Sequence, residues 1–173
     1  KAHQAPMNRS SFARSAASIC ALIGVLAHGQ APAAAAIPPA ANTPYPGTLT
    51  LQVDASDIDR RIFRVKETIP VKPGPLTLLY PRWLPGNHAP NGRIGQLAGL
   101  KIASGSTPIE WRRDPIEPFA FHLSVPPGAS VLDVEFQYLS PTGESSGRVV
   151  VTPELLNLQW NAVLLLPAGH AVR

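Results

Sequence analysis

The run Leu132-Asp133-Val134-Glu135-Phe136-Gln137-Tyr138 contains the pattern from which the fold class follows. Apolar and polar side chains alternate along it without a break, as they do in a strand with one face in a core and the other in water. Residues 48–53, 63–69 and 119–125 show the same period of two. The alternation predicts a chain built largely from antiparallel strands.

Turn-forming residues separate these stretches. They are Pro73-Gly74, Pro85-Gly86, Asn91-Gly92, Pro126-Pro127-Gly128 and Pro141-Thr142-Gly143. Proline pre-sets the φ of one turn position, and glycine accepts a positive φ at the next. No stretch after residue 36 has helical periodicity, and the 20 prolines disfavour long helices. We therefore predict an all-β fold, an antiparallel β-sandwich of open, barrel-like form, with no helix longer than about three turns.

The first 36 residues have the layout of a secretory signal peptide behind a short upstream extension. Arg9 and Arg14 form a positive segment, and an apolar core follows at residues 16–27. This core is shorter than the roughly 20 residues of a transmembrane helix, so we expect no stable membrane span. An uncleaved anchor is the alternative. We expect a periplasmic or secreted protein with a signal region at 1–36, an Ala/Pro-rich linker at 37–47 and a β-domain at 48–173.

The predicted mature part is nearly neutral. The chain has 15 Lys and Arg against 11 Asp and Glu, but Lys1, Arg9 and Arg14 precede residue 37 and no acidic residue does. Residues 37–173 therefore carry 12 basic and 11 acidic side chains, a net charge of +1. Because no basic patch remains, we expect no nucleic-acid partner. Cys20 lies in the signal region, which leaves no thiol for a disulfide or a thiolate zinc site.

Residues with catalytic chemistry are not grouped in this sequence. The zinc-peptidase signature H-E-x-x-H is absent, and no histidine has another within four residues. We expect His122 to be a solvated residue on the polar face of its strand. Glu110 and Asp114 flank Trp111-Arg112-Arg113 and are expected to form surface charge pairs. Ser145-Ser146-Gly147 is interpreted as a turn and not as a site for a serine nucleophile.

The loop that begins at Trp83 is the first candidate contact site. Its members are Trp83, Pro85, Gly86, Asn87 and His88. The Pro-Gly turn holds a large amphipathic ring at the end of a strand. Two interpretations stay open: the indole plugs the end of the sandwich, or the loop contacts a neighbouring domain or a peptide.

The stretch from Leu156 to Leu166 is the second candidate. Every other residue along it is apolar, which predicts one long strand, but Val163 and Leu165 on the opposite face are apolar too. A strand that is apolar on both faces is normally covered on both sides. We therefore expect a catalytic domain or a partner chain to pack over Val163 and Leu165.

Three parts of the sequence, taken together, resemble the amino-terminal domain of the glycyl-aminopeptidase-type zinc metallopeptidases, peptidase family sixty-one. They are Tyr80-Pro81-Arg82-Trp83-Leu84-Pro85-Gly86, Gly147-Arg148-Val149-Val150-Val151-Thr152-Pro153, and Leu155-Leu156-Asn157-Leu158-Gln159-Trp160-Asn161 with Pro167-Ala168-Gly169. The first is similar to the family's apolar-Pro-x-Trp-x-Pro-Gly element. The resemblance extends from about Leu49 to Gly169. It implies a β-domain that precedes a thermolysin-like zinc domain and a PDZ-like domain in an enzyme that removes amino-terminal residues, often glycine or alanine.

The resemblance implies that this chain is not catalytic by itself. No position here matches the family's zinc ligands or catalytic glutamate, so we expect no cofactor in this chain and zinc only in a catalytic domain outside it. The expected partner is that domain, in the same full-length protein or on a partner chain, and the β-domain would help to form its peptide cleft. The alternative is a free-standing periplasmic β-sandwich that binds a peptide or another protein.

Overall fold

The computed structural model describes residues 36–86, 88–142 and 149–171. The predicted signal region, except for residue 36, lies outside the described residues, as does Asn87. Within the described ranges the regular secondary structure is almost entirely β, and the helical elements are two 3-10 turns, Ile94–Gln96 and Trp160–Ala162. The all-β prediction is confirmed. No helix in this described part has the length and apolar character of a membrane span.

The strands of the described residues form three antiparallel sheets. In chain order they are β1 (Thr50–Asp57), β2 (Ile62–Pro70), β3 (Gly74–Leu79), β4 (Leu97–Ser104), β5 (Thr107–Pro108), β6 (Trp111–Arg113), β7 (Ala120–Val125), β8 (Val131–Leu139), β9 (Val150–Val151), β10 (Leu156–Asn157) and β11 (Leu166–Pro167). One sheet has the order β1-β2-β8-β4-β5, another β11-β3-β7-β6, and β9 pairs with β10. Each order ends in edge strands, so the sheets do not close into a barrel.

The five-stranded sheet is organised by β2 and β8. These strands pair over nine residues without a register shift, from Ile62 opposite Leu139 to Pro70 opposite Val131. Along β8 every second residue is buried, as the alternation predicts. The period of two therefore fixes which face of this strand enters the core, because a one-residue slip would expose the whole apolar set.

The four-stranded sheet is organised by β3 and β7, which pair from Gly74 opposite Val125 to Leu79 opposite Ala120. Leu78 and Phe121 lie opposite each other in this pairing and are completely buried. Both belong to the same core cluster as Ile69 and Leu132 of the five-stranded sheet. One continuous hydrophobic core thus joins the two larger sheets.

The predicted long strand from Leu156 to Leu166 is wrong. Only β10 and β11 at its ends are strands, and the 3-10 turn Trp160–Ala162 interrupts it. Val163 follows the turn with φ −127° and ψ 34°, which is not an extended conformation. The N–H of Leu165 donates to the carboxylate of Glu67 at 2.9 Å and not to a neighbouring strand. A buried side-chain acceptor has replaced a strand partner here.

The expectation that Val163 and Leu165 need cover from outside the chain is also wrong. Both side chains are 0% exposed and belong to the chain's own core. The argument from two apolar strand faces does not apply, because the segment is not a strand there. It turns at residues 160–163, and Val163 and Leu165 enter the core between the sheets. The exposed large apolar side chains of this segment are Leu156 and Trp160, and Leu155 directly before it is exposed as well.

Candidate functional site

The chain leaves β3 through Tyr80 and enters the loop that carries Trp83. The N–H of Tyr80 still donates to the carbonyl of Phe119 at 2.8 Å, and Pro81 has no N–H to continue the pairing. Leu84 is buried, whereas the Trp83 side chain is 64% exposed. Leu84 therefore anchors the loop in the core, and the indole faces outward. The exposed indole does not agree with the interpretation that Trp83 plugs the end of the sandwich.

The loop closes at Gly92, where only glycine fits. The N–H of Gly92 donates to the carbonyl of Arg82 at 2.8 Å. A Cβ at this position would lie 2.1 Å from the carbonyl oxygen of Pro81 and 2.9 Å from the Cα of Arg82. Both are backbone atoms, which cannot move aside like a flexible side chain. The close approach at Gly92 therefore sets where the loop returns after Trp83.

Beside the loop lies a cavity of about 470 Å³, within the size range of small-ligand pockets. We call it the aromatic cavity, because Tyr80, Trp83 and Phe119 line it together with aliphatic residues such as Ile37 and Leu166. These residues come from four separate parts of the chain. The pairing of β3 with β7, and of β11 with β3, brings three of these parts, those with Tyr80, Phe119 and Leu166, to the same end of the four-stranded sheet.

The two charged side chains of the aromatic cavity neutralise each other. Arg82 Nη1 and Glu117 Oε2 are 2.8 Å apart, and both side chains are partly exposed. The Arg82 guanidinium also lies 5.8 Å from the centre of the Phe119 ring. An ion pair in such a solvent-exposed position contributes little to the free energy of unfolding. The aromatic cavity thus presents apolar surface and ring faces, with no net charge from this pair.

Tyr80 forms the inner wall of the aromatic cavity. Its ring stacks on Phe119 with centres 6.4 Å apart, and its hydroxyl donates to the carbonyl of Ala162 at 2.8 Å. Burial raises the pKa of Tyr80 far above its ordinary value, so the phenol stays protonated. Tyr80 therefore connects the loop to the 3-10 turn at residues 160–162 and has no role as an acid or base.

The structure brings only some of the predicted contact residues to the aromatic cavity. Trp83 lines it. Pro85, Gly86 and His88 are exposed on the loop but outside its lining, and Asn87 is outside the described residues. The sequence analysis missed Tyr80, Arg82, Glu117 and Phe119 as cavity residues, together with His170 near the chain end. No local signal identifies Glu117 or Phe119, because strand pairing alone places them beside Trp83.

The predicted solvated state of His122 is wrong. Its side chain is only 10% exposed, with Nε2 2.8 Å from Asp114 Oδ2 and Nδ1 2.9 Å from Thr77 Oγ1. The surface pairing expected for Asp114 is wrong as well, since its side chain is 6% exposed. His122 does lie on the second face of β7. Its two ring nitrogens are bonded to Asp114 and Thr77, and the side chain is largely removed from water.

Hydrogen bonds connect Thr77 to His122 and His122 to Asp114, which is the order of nucleophile, base and carboxylate in a catalytic triad. A substrate has no access to these side chains. Thr77 is 5% exposed, and none of the three lines the aromatic cavity. The N–H groups of Glu117 and Ile116 both donate to Asp114 Oδ1 at 2.8 Å. These bonds and the one to His122 lower the pKa of Asp114 to about 2. The group therefore holds the segment that carries Glu117 and Phe119 in place.

One serine motif is overlooked when residues 145–147 are interpreted as a turn. Gly143-Glu144-Ser145-Ser146-Gly147 matches G-x-S-x-G. In serine hydrolases that motif lies between a strand and a helix. Here β8 precedes it and β9 follows it, and residues 143–148 are outside the described part. The flanking elements are not those that expose a serine nucleophile in a hydrolase.

Metal-ligating side chains do not cluster in the described ranges. No group of three or more His, Cys, Asp or Glu residues is placed there to hold a metal ion. His122 and Asp114 are bonded to each other and occupy each other's ligating atoms. A catalytic zinc needs three protein ligands and an open position. The described residues do not fit such a centre.

The Peptidase M61 N-terminal domain family matches residues 50–173. Among solved structures, the fold is similar to the crystal structure of an aminopeptidase N family protein from Idiomarina loihiensis, with a TM-score of 0.57 and 16% identity over 73% of this chain. The chain spans only 22% of that protein, and at this identity the likeness concerns the fold alone. No curated protein matches the sequence significantly. Since the family match covers more than half of the chain, this protein belongs to the peptidase M61 family, through its N-terminal domain.

Proposed function

We propose that this chain is the non-catalytic, β-sandwich N-terminal domain of an exported zinc aminopeptidase, and that it packs against the catalytic domain and helps to form its peptide cleft. The aromatic cavity carries the proposal: a 64% exposed indole stands beside an apolar cavity of about 470 Å³. The family match supplies the context. Export is proposed from the signal-peptide pattern alone, and zinc is expected in the catalytic domain.

The composition of the aromatic cavity suits the contact that we propose. Tryptophan and arginine are frequent where binding energy concentrates, because they combine a large surface with a polar handle. Ile116, which precedes the cavity residue Glu117, is 86% exposed. Exposed apolar side chains next to a cavity are typical of interaction sites. Because Arg82 and Glu117 compensate each other, we expect recognition of apolar side chains and not of charge.

The alternative is a free-standing domain that binds a peptide or a protein by itself. One observation favours it: the walls of the aromatic cavity come from the described residues of this chain alone. The DNA beyond codon 173 distinguishes the two functions. The first requires a region encoding H-E-x-x-H in the same or a shifted frame. If the DNA beyond codon 173 contains no such region, the free-standing binding domain is the remaining function.

The contribution of Trp83 is tested in the longer protein that contains the zinc domain. We expect Trp83→Ala to lower kcat/KM for glycyl or alanyl peptides about tenfold, in the range found for hot-spot residues. Trp160→Ala is the matched control, because that indole is 61% exposed but does not line the aromatic cavity. Equal losses in both variants, or none in either, would contradict a role for the aromatic cavity in the cleft.

Two glycines test whether the loop itself positions Trp83. Gly92→Ala places a methyl group against the backbone of Pro81 and should shift Trp83 fluorescence and reduce kcat/KM. Gly95→Ala is the control, since a Cβ there meets no atom within 4 Å. If Gly92→Ala and Gly95→Ala behave alike, the loop closure does not control the indole.

A further inference from the structure

Glu67 occupies a position of β2 that should hold an apolar residue. It lies between Val65 and Ile69 on the buried face of the strand, and it is 2% exposed. Its neighbours across the sheet are Leu51 of β1 and Val134 of β8. A carboxylate among such residues loses its hydration, which is costly unless other groups replace it.

Few polar groups of the protein replace the water that the Glu67 carboxylate has lost. Glu67 Oε2 accepts one hydrogen bond, from the N–H of Leu165 at 2.9 Å, and no cation among the described residues pairs with it. Lys66 is on the exposed side of β2 and pairs with Glu135 of β8 at 3.0 Å. On β1, Asp57 pairs with Arg64. The charged groups of the adjacent strands thus compensate one another on the other face of the sheet.

A second cavity, of about 350 Å³, adjoins this carboxylate. We call it the Glu67 cavity; its apolar walls include Leu49 and Leu51 of β1 with Leu164 and Leu166. Tyr45 is its other titratable residue, and burial raises the pKa of this phenol, which therefore stays neutral at physiological pH. The hydroxyl of Tyr45 donates to the carbonyl of Pro70. Glu67 is thus the one acidic side chain in the lining of the cavity, and it stands beside four leucines.

We propose that the Glu67 cavity binds a primary ammonium group carried on a short apolar chain. An ammonium has three donors and a positive charge, and it can approach a carboxylate whose only bonded partner here is one backbone N–H. The leucine side chains match the apolar part of such a ligand. The lining of the Glu67 cavity differs from that of the aromatic cavity, with which it shares only Leu166.

A purely structural role explains the geometry less well. Glutamine would accept the N–H of Leu165 equally well without the cost of a buried charge. Desolvation raises the pKa of Glu67 to about 7, which agrees with a carboxylate that lacks a cation. A bound ammonium would supply the missing countercharge and would return the carboxyl group to its ionised form.

The test uses the full chain at pH 8, titrated with n-butylammonium chloride and, in parallel, with n-butanol at constant ionic strength. We expect saturable shifts of the Leu165 and Leu51 amide signals with butylammonium and at least tenfold weaker binding of butanol. Glu67→Gln should weaken butylammonium binding at least tenfold. Glu110→Gln, which removes an exposed carboxylate, should bind like the unchanged chain.

A second measurement keeps the proposal testable if Glu67→Gln does not fold. In the unchanged chain, lowering the pH from 8 to 5 protonates Glu67 while Tyr45 stays neutral, so butylammonium binding should weaken at least tenfold. Equal binding of butanol, equal binding at the two pH values, or the absence of saturation would each overturn the ammonium site.

Discussion

One carboxyl group is buried in or beside each of the two larger sheets, and the pKa values of the two groups are shifted in opposite directions. Asp114, beside the four-stranded sheet, accepts two backbone N–H bonds and pairs with His122, and its pKa falls to about 2. Glu67, in the five-stranded sheet, accepts one N–H, and its pKa rises to about 7. Both residues are less than 10% exposed. Loss of hydration dominates the shift of Glu67 and raises its pKa, whereas the hydrogen bonds with Glu117, His122 and Ile116 dominate the shift of Asp114 and lower its pKa.

The difference separates two kinds of polar group inside one domain. Asp114 is satisfied by its own chain, and it holds the segment that brings Glu117 and Phe119 to the aromatic cavity. Glu67 is incompletely satisfied and adjoins a cavity, so it retains the capacity to bind something else.

The largest effect is expected from Asp114→Ala. This change leaves the N–H groups of Ile116 and Glu117 without their acceptor and His122 without its carboxylate, so the thermal midpoint at pH 7 should fall by roughly 5–10 °C. Asp133→Ala, at an exposed position of β8, should leave the midpoint within about 2 °C. A midpoint that is unchanged in Asp114→Ala would show that its hydrogen bonds do not support the fold.

The two carboxylates should limit stability at opposite ends of the pH range. Between pH 4.5 and 7, folded Glu67 keeps a proton that the unfolded chain releases, so the free energy of unfolding should fall by about 3 kcal/mol as the pH rises through this window. Asp114 has the opposite sign: its contribution is present above pH 3.8 and is lost as the pH falls towards 2. Denaturant unfolding from pH 2 to pH 8 measures both. A curve that is flat between pH 5 and 7 would contradict the raised pKa of Glu67.

Glu67→Gln should sharpen the contrast, because it is expected to stabilise the domain. The amide keeps an acceptor for the N–H of Leu165 and removes the buried charge, so the free energy of unfolding at pH 8 should rise by about 2 kcal/mol. The slope between pH 4.5 and 7 should disappear in the same variant. Lower stability at pH 8 would mean that the ionised carboxylate is itself favourable.

The smallest effect is expected from Thr77→Val. The shape of the side chain is nearly conserved, and the bond from Thr77 to His122 Nδ1 is lost, at a cost of about 1 kcal/mol. Thr50→Val, on the exposed edge strand β1, serves as the control and should cost nothing measurable. A loss in Thr77→Val as large as that in Asp114→Ala would show that the three side chains act as one cooperative unit.

The local sequence pattern was sufficient to predict a strand wherever one face of the strand is exposed to water and the other is buried. The alternation in β2, β7 and β8 predicted their extent and their inward residues, because the period of two is a property of each strand by itself. Glu67 could have been found in the same way, since its position in β2 points inward although the residue is charged. His122 could not, because its bonding partners Asp114 and Thr77 lie outside the strand.

The sequence by itself determined the all-β class and the approximate extents of β1, β2, β7 and β8, since these depend on residues that are close neighbours in the chain. Tertiary structure alone decided that Val163 and Leu165 enter the core, that His122 meets Asp114, and that Trp83 stands beside Phe119. Those outcomes depend on pairing between segments far apart in sequence, and no local periodicity encodes which distant segment supplies the covering side chain or the hydrogen-bond donor.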